Sequence, residues 1–135
     1  MITKKFMSIR LSNLKELYNE ERSEILKSID TVLKSGNLIL SKENLLLEKN
    51  IAKLTNQKYC LTLNSGTDAL MMALWASGVK KDDEVITTPL SFIATVNSII
   101  HIGAKPVFVD VADDLNIDPY LIEKSITKKT KAIVP

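Results

Sequence analysis

Residues 58–111 read KYCLTLNSGTDALMMALWASGVKKDDEVITTPLSFIATVNSIIHIGAKPVFVDV, in which short β-rich runs alternate with segments about one helix long. The β-rich runs are 59–63, 84–88 and 106–111, with another at 131–134, and the helical segments between them are 67–77, 92–102 and 119–125. Parallel strands need long connections, and helices supply these connections while covering both faces of the sheet. The sequence therefore predicts an α/β fold with a parallel-rich sheet and crossover helices.

The first 57 residues lack this alternation and have the pattern of helices. Apolar residues recur at three- and four-residue spacing across 12–33, and Gly36 follows as a stop signal. Ser41 can cap a second helix. Its buried stripe would consist of Leu45, Leu47, Ile51 and Leu54. We therefore expect an N-terminal helical segment at 1–57, followed by the α/β part at 58–135.

The composition is that of an ordinary soluble globular chain, with 135 residues, 45% of them hydrophobic and 25% charged. The net charge is only +2 and no long basic stripe occurs, so we expect no nucleic-acid partner. No apolar run is long enough to span a membrane. One cysteine, Cys60, and one histidine, His101, cannot build a disulfide framework or a zinc cluster within the chain. A reducing compartment, the cytoplasm, is therefore expected.

The last residues, KAIVP at 131–135, have the pattern of a buried strand with no covering helix after it. An exposed apolar strand at a sheet edge is an aggregation hazard. We therefore expect the chain to be the front piece of a larger protein.

The turn after the first β-rich run carries the clearest chemistry. Ligands of open α/β sheets bind beyond the carboxyl ends of the strands, and here the sequence is Ser65-Gly66-Thr67 at the start of a helix. Free backbone N–H groups and the positive end of the helix dipole favour an anion, and Gly66 allows its close approach. Phosphate is the natural ligand. The alternative is that Ser65 or Thr67 only caps the helix.

Phe92 follows the second β-rich run and could cover the face of a flat heterocycle whose phosphate lies on Gly66 and Thr67. The alternative is that Phe92 is a core residue. After the third run, Asp110, Asp113 and Asp114 could face the same cleft, although loop acids are more commonly solvated or cap helices.

Two familiar nucleotide-binding motifs are absent from the turn at 64–70. A Rossmann fingerprint needs three glycines where this turn has one, and the turn also lacks the G-x-x-x-x-G-K of a P-loop. Cys60 is expected to be a small buried residue of the first strand, and His101 a packing or surface residue. The stripe of Leu70, Leu74, Met71, Met72 and Trp75 is expected to be core.

Six successive blocks of the sequence resemble the DegT/StrS family of pyridoxal-phosphate-dependent aminotransferases, which act on keto-sugar nucleotides. These blocks are 64–70, 83–89, 91–95, 103–111, 116–118 and 130–135. The resemblance implies the large domain of a fold-type-I aminotransferase, truncated here at residue 135, and a homodimer when the enzyme is complete. It also implies that Gly66 and Thr67 bind the phosphate of pyridoxal 5′-phosphate, that Ser65 shapes the turn, and that Phe92 stacks on the pyridine ring.

The resemblance further implies a lysine that forms a Schiff base with the cofactor. It also implies that the amino group moves to the sugar from an amino acid, with glutamate as the expected donor. The lysines near the strands, among them Lys58, Lys105 and Lys131, precede their strands and so lie on the wrong side of the sheet. We therefore expect the catalytic lysine beyond residue 135 and no catalysis by this chain alone. A partner-dependent or stand-alone module that binds a phosphorylated ligand without catalysis is the alternative.

Overall fold

The computed structural model describes residues 12–135, and the chain divides into two compact units, one ending at Cys60 and one running from Leu61 to Pro135. The first unit holds two helices, α1 (Leu14–Ser35) and α2 (Lys42–Leu54). Gly36 ends α1 in the left-handed conformation, with φ of 70°, which glycine adopts at little cost. Within residues 12–135 no helix is both long and apolar enough to cross a membrane.

The second unit alternates helices and strands in the order that the sequence predicts. Its elements are α3 (Gly66–Ala76), β1 (Glu84–Thr87), α4 (Ala94–His101), β2 (Lys105–Phe108), α5 (Pro119–Ser125) and β3 (Thr130–Val134). The three strands form a parallel sheet in the order β2-β1-β3, so the first strand along the chain is the central one. The predicted α/β fold with a parallel sheet and crossover helices is confirmed.

The core of the second unit lies between the sheet and helices α3 and α4. Its buried apolar residues are Leu74, Val79, Val85, Ile99 and Ala104, with Ile102, Ala132 and Val134 packed against them. Because β1 is the central strand, Val85 and Ile86 are fully buried. This packing fixes the positions of α3 and α4, whose amino ends lie next to the turns predicted to carry the chemistry.

One predicted strand is absent. Residues 59–63 form no strand, and the sheet of the described residues consists of β1, β2 and β3. Both sides of β1 are occupied by β2 and β3, and the side chains of Tyr59 and Leu61 are exposed. A β-rich run becomes a strand only where a neighbour completes its hydrogen bonds. Cys60, expected to be buried in this strand, is half-buried.

Two predicted apolar stripes are also exposed, one of them only in part. The stripe of α2, Leu45, Leu47, Ile51 and Leu54, lies exposed, and Ala52 is the buried residue of that helix. On α3 the predicted core stripe is covered in part, because Leu74 is buried and Leu70 and Met71 are half-buried. Met72 and Trp75 are exposed, Trp75 by 68%. The predicted periodicity is present, but much of the apolar surface of these side chains is exposed.

A buried threonine of the central strand gives the first testable prediction. Thr87 is fully buried, and its Oγ1 has no hydrogen-bond partner among the described residues. A buried, unpaired hydroxyl is destabilising, so Thr87→Val should raise the free energy of unfolding by about 1 kcal/mol. The measurement is urea unfolding of the two proteins followed by circular dichroism.

The neighbouring residue provides the control. Thr88 is also buried, but its Oγ1 accepts a hydrogen bond from the backbone N–H of Leu90 at 3.2 Å. Thr88→Val leaves that N–H unpaired and should therefore lower stability. Equal effects of the two substitutions would contradict the assignment of Thr87 as the unpaired group.

Candidate functional site

The turn formed by Ser65, Gly66 and Thr67, called here the 65–67 turn, leads directly into α3. Ser65 is the N-cap residue, with φ of −152° and ψ of 157°. Its Oγ accepts a hydrogen bond from the backbone N–H of Asp68 at 3.1 Å and lies 2.8 Å from Asp68 Oδ2, to which it donates. Ser65 therefore caps the helix, as the alternative interpretation of this turn predicts.

Capping leaves two donors of the turn available. The backbone N–H groups of Gly66 and Thr67 have no partner among the residues that the structure describes, since they precede the first intrahelical bonds. Apart from the neighbouring residues and the backbone of α3 itself, a Cβ added to Gly66 would meet no heavy atom within 4 Å. The turn therefore presents two unpaired N–H groups and the positive end of the dipole of α3, with open space beside Gly66. These are properties that fit a phosphate.

Phe92 lies in the segment between β1 and α4, and its side chain is 77% exposed. The alternative that Phe92 is a core residue is therefore wrong for the described chain. The segment is held in place at both ends, because Leu90 N–H donates to Thr88 Oγ1 at 3.2 Å and Thr95 N–H donates to the carbonyl oxygen of Phe92 at 3.2 Å. An exposed ring on a supported backbone is available to a flat ligand.

Helices α3 and α4 connect the 65–67 turn with the segment that carries Phe92. They pack against each other across the core. Ser98 of α4 is fully buried, and its Oγ lies 3.2 Å from the carbonyl oxygen of Thr67. Sequence reasoning missed Ser98, because a serine inside a helical pattern has no local signal of a contact with a residue 31 positions away.

The acidic loop after β2 is engaged in its own turns. Asp110 Oδ1 accepts from the N–H of Val111 at 2.8 Å. Asp114 accepts from the backbone N–H of Asn116 at 3.0 Å and from its side-chain amide at 3.1 Å. The side-chain and backbone hydrogen bonds from Asn116 hold the pKa of Asp114 below its usual value. The local interpretation of these acids is therefore the better one.

The remaining candidates make hydrogen bonds or ion pairs with residues other than those of the 65–67 turn. His101 is exposed at the end of α4, where its Nδ1 lies 3.0 Å from the carbonyl oxygen of Asn97. Lys105 begins β2, and its Nζ lies 3.3 Å from Asp82 Oδ1 in the turn before β1. In the unit from Leu61 to Pro135, every lysine lies in a segment that precedes a strand or at the start of a strand. Lys124, the one lysine within a helix of this unit, lies in the last turn of α5, next to the start of β3 and not at the carboxyl end of β2.

Comparison with known proteins gives consistent results. The chain is 42% identical over 130 residues to the pleiotropic regulatory protein of Geobacillus stearothermophilus, covering 96% of this chain and 35% of that protein. It is 44% identical over 86 residues to UDP-2-acetamido-2-deoxy-3-oxo-D-glucuronate aminotransferase of Pseudomonas aeruginosa, covering 63% of this chain and 24% of that protein.

A solved structure agrees in fold. NtdA from Bacillus subtilis, determined with bound cofactor PMP, superposes with a TM-score of 0.86 at 32% identity, covering 97% of this chain and 31% of NtdA. The chain thus spans about a third of the length of NtdA and of the Geobacillus relative. PMP is the amino form of pyridoxal 5′-phosphate, the cofactor that the resemblance implies. The family model of the DegT/DnrJ/EryC1/StrS aminotransferases matches residues 19–135. The chain therefore belongs to the DegT/DnrJ/EryC1/StrS aminotransferase family.

Proposed function

We propose that this chain forms the part of a pyridoxal-phosphate-dependent aminotransferase that binds the cofactor phosphate, and that the complete enzyme transfers an amino group from an amino acid, glutamate by family resemblance, to a keto-sugar nucleotide. Membership of the family supports the reaction class. The name of the Pseudomonas relative, an aminotransferase of an oxo-sugar linked to UDP, supports the substrate class.

The observation that carries this proposal is the pair of unpaired N–H groups at Gly66 and Thr67. Both groups lie at the amino end of α3, an eleven-residue helix whose dipole favours an anion at this position. Ser65 supports the turn from within by capping Asp68 N–H, so the two donors beside it keep a fixed direction. The turn binds and orients a phosphate through its backbone, and no side-chain charge is required.

Phe92 is the second residue of the proposed site. When bound, pyridoxal phosphate supplies the electron sink that lets an amino group leave one carbon and join another. The exposed Phe92 ring covers one face of the cofactor's pyridine ring, excludes water from that face and limits its tilt. Gly66 and Thr67 then hold one end of the cofactor while Phe92 holds its plane.

The catalytic lysine is proposed to lie outside residues 1–135. The placement of the lysines in the unit from Leu61 to Pro135, all in segments that precede strands or at their starts, supports this assignment. The assignment of 58–135 as the first part of the cofactor-binding large domain rests on the same family resemblance. Catalysis then belongs to the polypeptide or complex that supplies the lysine.

We also propose that the complete enzyme is a homodimer and that it is located in the cytoplasm. Exposed apolar side chains around a cavity of about 430 Å³ support a contact with further protein, and they include Leu61, Leu63, Met72 and Trp75. Burying such a patch is a common reason for subunit association. The single cysteine fits a reducing compartment.

The experiment that tests the site is a titration of the ¹⁵N-labelled 135-residue chain followed by NMR. The ligand is pyridoxine 5′-phosphate, which has the ring and the phosphate of the cofactor but no aldehyde that could react with surface lysines. We expect saturable shifts of the amide signals of Gly66 and Thr67. Shifts confined to other residues, or none at saturating ligand, would rule out the 65–67 turn as the phosphate site.

A second experiment distinguishes the proposed aminotransferase from the alternative, a module that only binds a phosphorylated ligand. The same chain is mixed with an unlabelled lysine-bearing C-terminal portion of a family member, pyridoxal 5′-phosphate and glutamate. Amino transfer is measured as the half-reaction, in which glutamate becomes 2-oxoglutarate and the cofactor becomes pyridoxamine 5′-phosphate. Transfer supports the aminotransferase, whereas ligand binding without transfer in the assembled complex favours a module that only binds a phosphorylated ligand.

A further inference from the structure

Ser98 is a buried polar residue with two acceptors. Its side chain is 0% exposed, and its Oγ lies 2.7 Å from the carbonyl oxygen of Ala94 and 3.2 Å from that of Thr67. The first acceptor is in the same helix, at the usual i−4 position for a serine. The second acceptor is in the first turn of α3. One hydroxyl proton is therefore shared between the two helices.

The contact with Thr67 completes a set of hydrogen bonds around one peptide group. In the peptide group that joins Thr67 to Asp68, the carbonyl oxygen accepts a hydrogen bond from Ser98 Oγ at 3.2 Å. The N–H of the same peptide group donates to Ser65 Oγ at 3.1 Å. Both ends of this peptide plane are thus held by serine side chains, one from the N-cap and one from α4. The neighbouring peptide carries the unpaired N–H of Thr67.

A helix that begins with glycine, as α3 does, has a particular need for such support. Gly66 has no side chain to restrict its dihedral angles, and no other part of the described chain lies within 4 Å of the place that a Cβ would occupy. Glycine has more backbone freedom than any other residue, and the ends of helices fray. Without an external contact, the two N–H groups would spend part of the time in other directions.

We propose that Ser98 is a positioning residue for the 65–67 turn. Its hydroxyl fixes the Thr67–Asp68 peptide on α4, and thereby holds the N–H groups of Gly66 and Thr67 in the direction that a phosphate requires. Since α4 begins two residues after Phe92, the same helix sets both ends of the site. The binding part of this inference rests on the proposed function, whereas the effect on the turn itself does not.

The first measurement needs no ligand. Amide hydrogen exchange of the 135-residue chain is compared between the wild type and Ser98→Ala. The N–H of Asp68, which belongs to the supported peptide, should exchange about threefold faster in the variant, because one neutral hydrogen bond is lost. The control is Ser77→Ala, since Ser77 is the C-cap residue of α3 and its Oγ donates, among the described residues, to the local carbonyl oxygen of Ala73 at 2.8 Å. Ser77→Ala should leave the exchange of Asp68 unchanged.

The second measurement is a titration with inorganic phosphate, followed at the Gly66 amide. We expect the Kd of Ser98→Ala to be about threefold higher than that of the wild type, and the Kd of Ser77→Ala to be unchanged. If Ser98→Ala does not fold, Ser98→Cys replaces it, because a thiol of similar size is a weak donor.

The outcomes separate the two proposals. Absence of phosphate binding by the wild type refutes the proposed function, and the exchange of Asp68 then still tests Ser98. Exchange at Asp68 that is equal in Ser98→Ala and in the wild type would overturn the positioning role. Faster exchange together with weaker phosphate binding supports it in full.

Discussion

Gly66→Pro is expected to weaken phosphate binding roughly thirtyfold while leaving α3 intact, because proline removes one N–H donor to a charged acceptor. Proline is well tolerated at the first position of a helix, where the N–H has no intrahelical partner. The preceding residue, Ser65, already has the extended conformation that proline imposes on its neighbour. The measurement is the Kd of inorganic phosphate, obtained by NMR titration of the Thr67 amide.

A proline at the equivalent position of another helix is the control. Lys42 is the first residue of α2, and its N-cap, Ser41, is also extended, with φ of −75° and ψ of 168°. Lys42→Pro should leave phosphate binding unchanged. Phosphate affinity that is equal in Gly66→Pro and in the wild type, with the helix content of both retained, would show that the Gly66 amide does not bind the anion.

Phe92→Ala is expected to weaken binding of pyridoxine 5′-phosphate about tenfold and to leave binding of inorganic phosphate unchanged. The ring contributes through its stacking and its apolar contact with the pyridine ring, and inorganic phosphate has no ring to contact. The side chain is 77% exposed, so its removal creates no cavity in the core. Both dissociation constants and the melting temperature are measured on the same sample.

Tyr120→Ala provides the comparison for Phe92. Tyr120 is another exposed aromatic residue of the same unit, 82% exposed in the first turn of α5. Its removal should change neither dissociation constant. If Phe92→Ala weakened both ligands equally, the ring would act on the phosphate turn and not on the pyridine ring.

The elements with strong local signals were predicted well from the sequence. Asp118 and Pro119 mark the start of α5, and in the structure Asp118 Oδ1 accepts from the N–H of Tyr120 at 2.8 Å. The bounds of α5, Pro119–Ser125, agree with the prediction. Strand β2 was predicted too long. It ends at Phe108, and Val111 instead forms an isolated antiparallel bridge with Ile117.

The failures share a physical cause. A periodic pattern identifies which side chains lie on one face, but it says nothing about what covers that face. The run at 59–63 has β-rich composition but forms no strand. Trp75 and the apolar stripe of α2 have helical spacing and remain exposed. Burial and pairing depend on residues distant in the sequence, so a local pattern could not predict them.

In the candidate site, too, features with a local sequence signal could be predicted, whereas features that depend on tertiary packing could not. The 65–67 turn could be predicted because a hydroxyl residue followed by a glycine at the start of a helix is a local signal of capping and of anion binding. The exposure of Phe92 could not be predicted, since the same sequence is compatible with a core residue. The contact of Ser98 with Thr67 exists only because α3 and α4 pack together.

The strand order has a consequence for how the chain folds while it is being synthesised. Strand β1 is the first of the three to leave the ribosome, yet it occupies the middle of the sheet, and β2 and β3 start only at Lys105 and Thr130. The unit β1-α4-β2 can assemble first, because its ends are close in the chain and closing a short loop costs less entropy. Until Thr130 and its successors emerge, the other side of β1 has unpaired N–H and C=O groups. During translation this nascent edge is the point at which chaperones or neighbouring nascent chains would engage the protein.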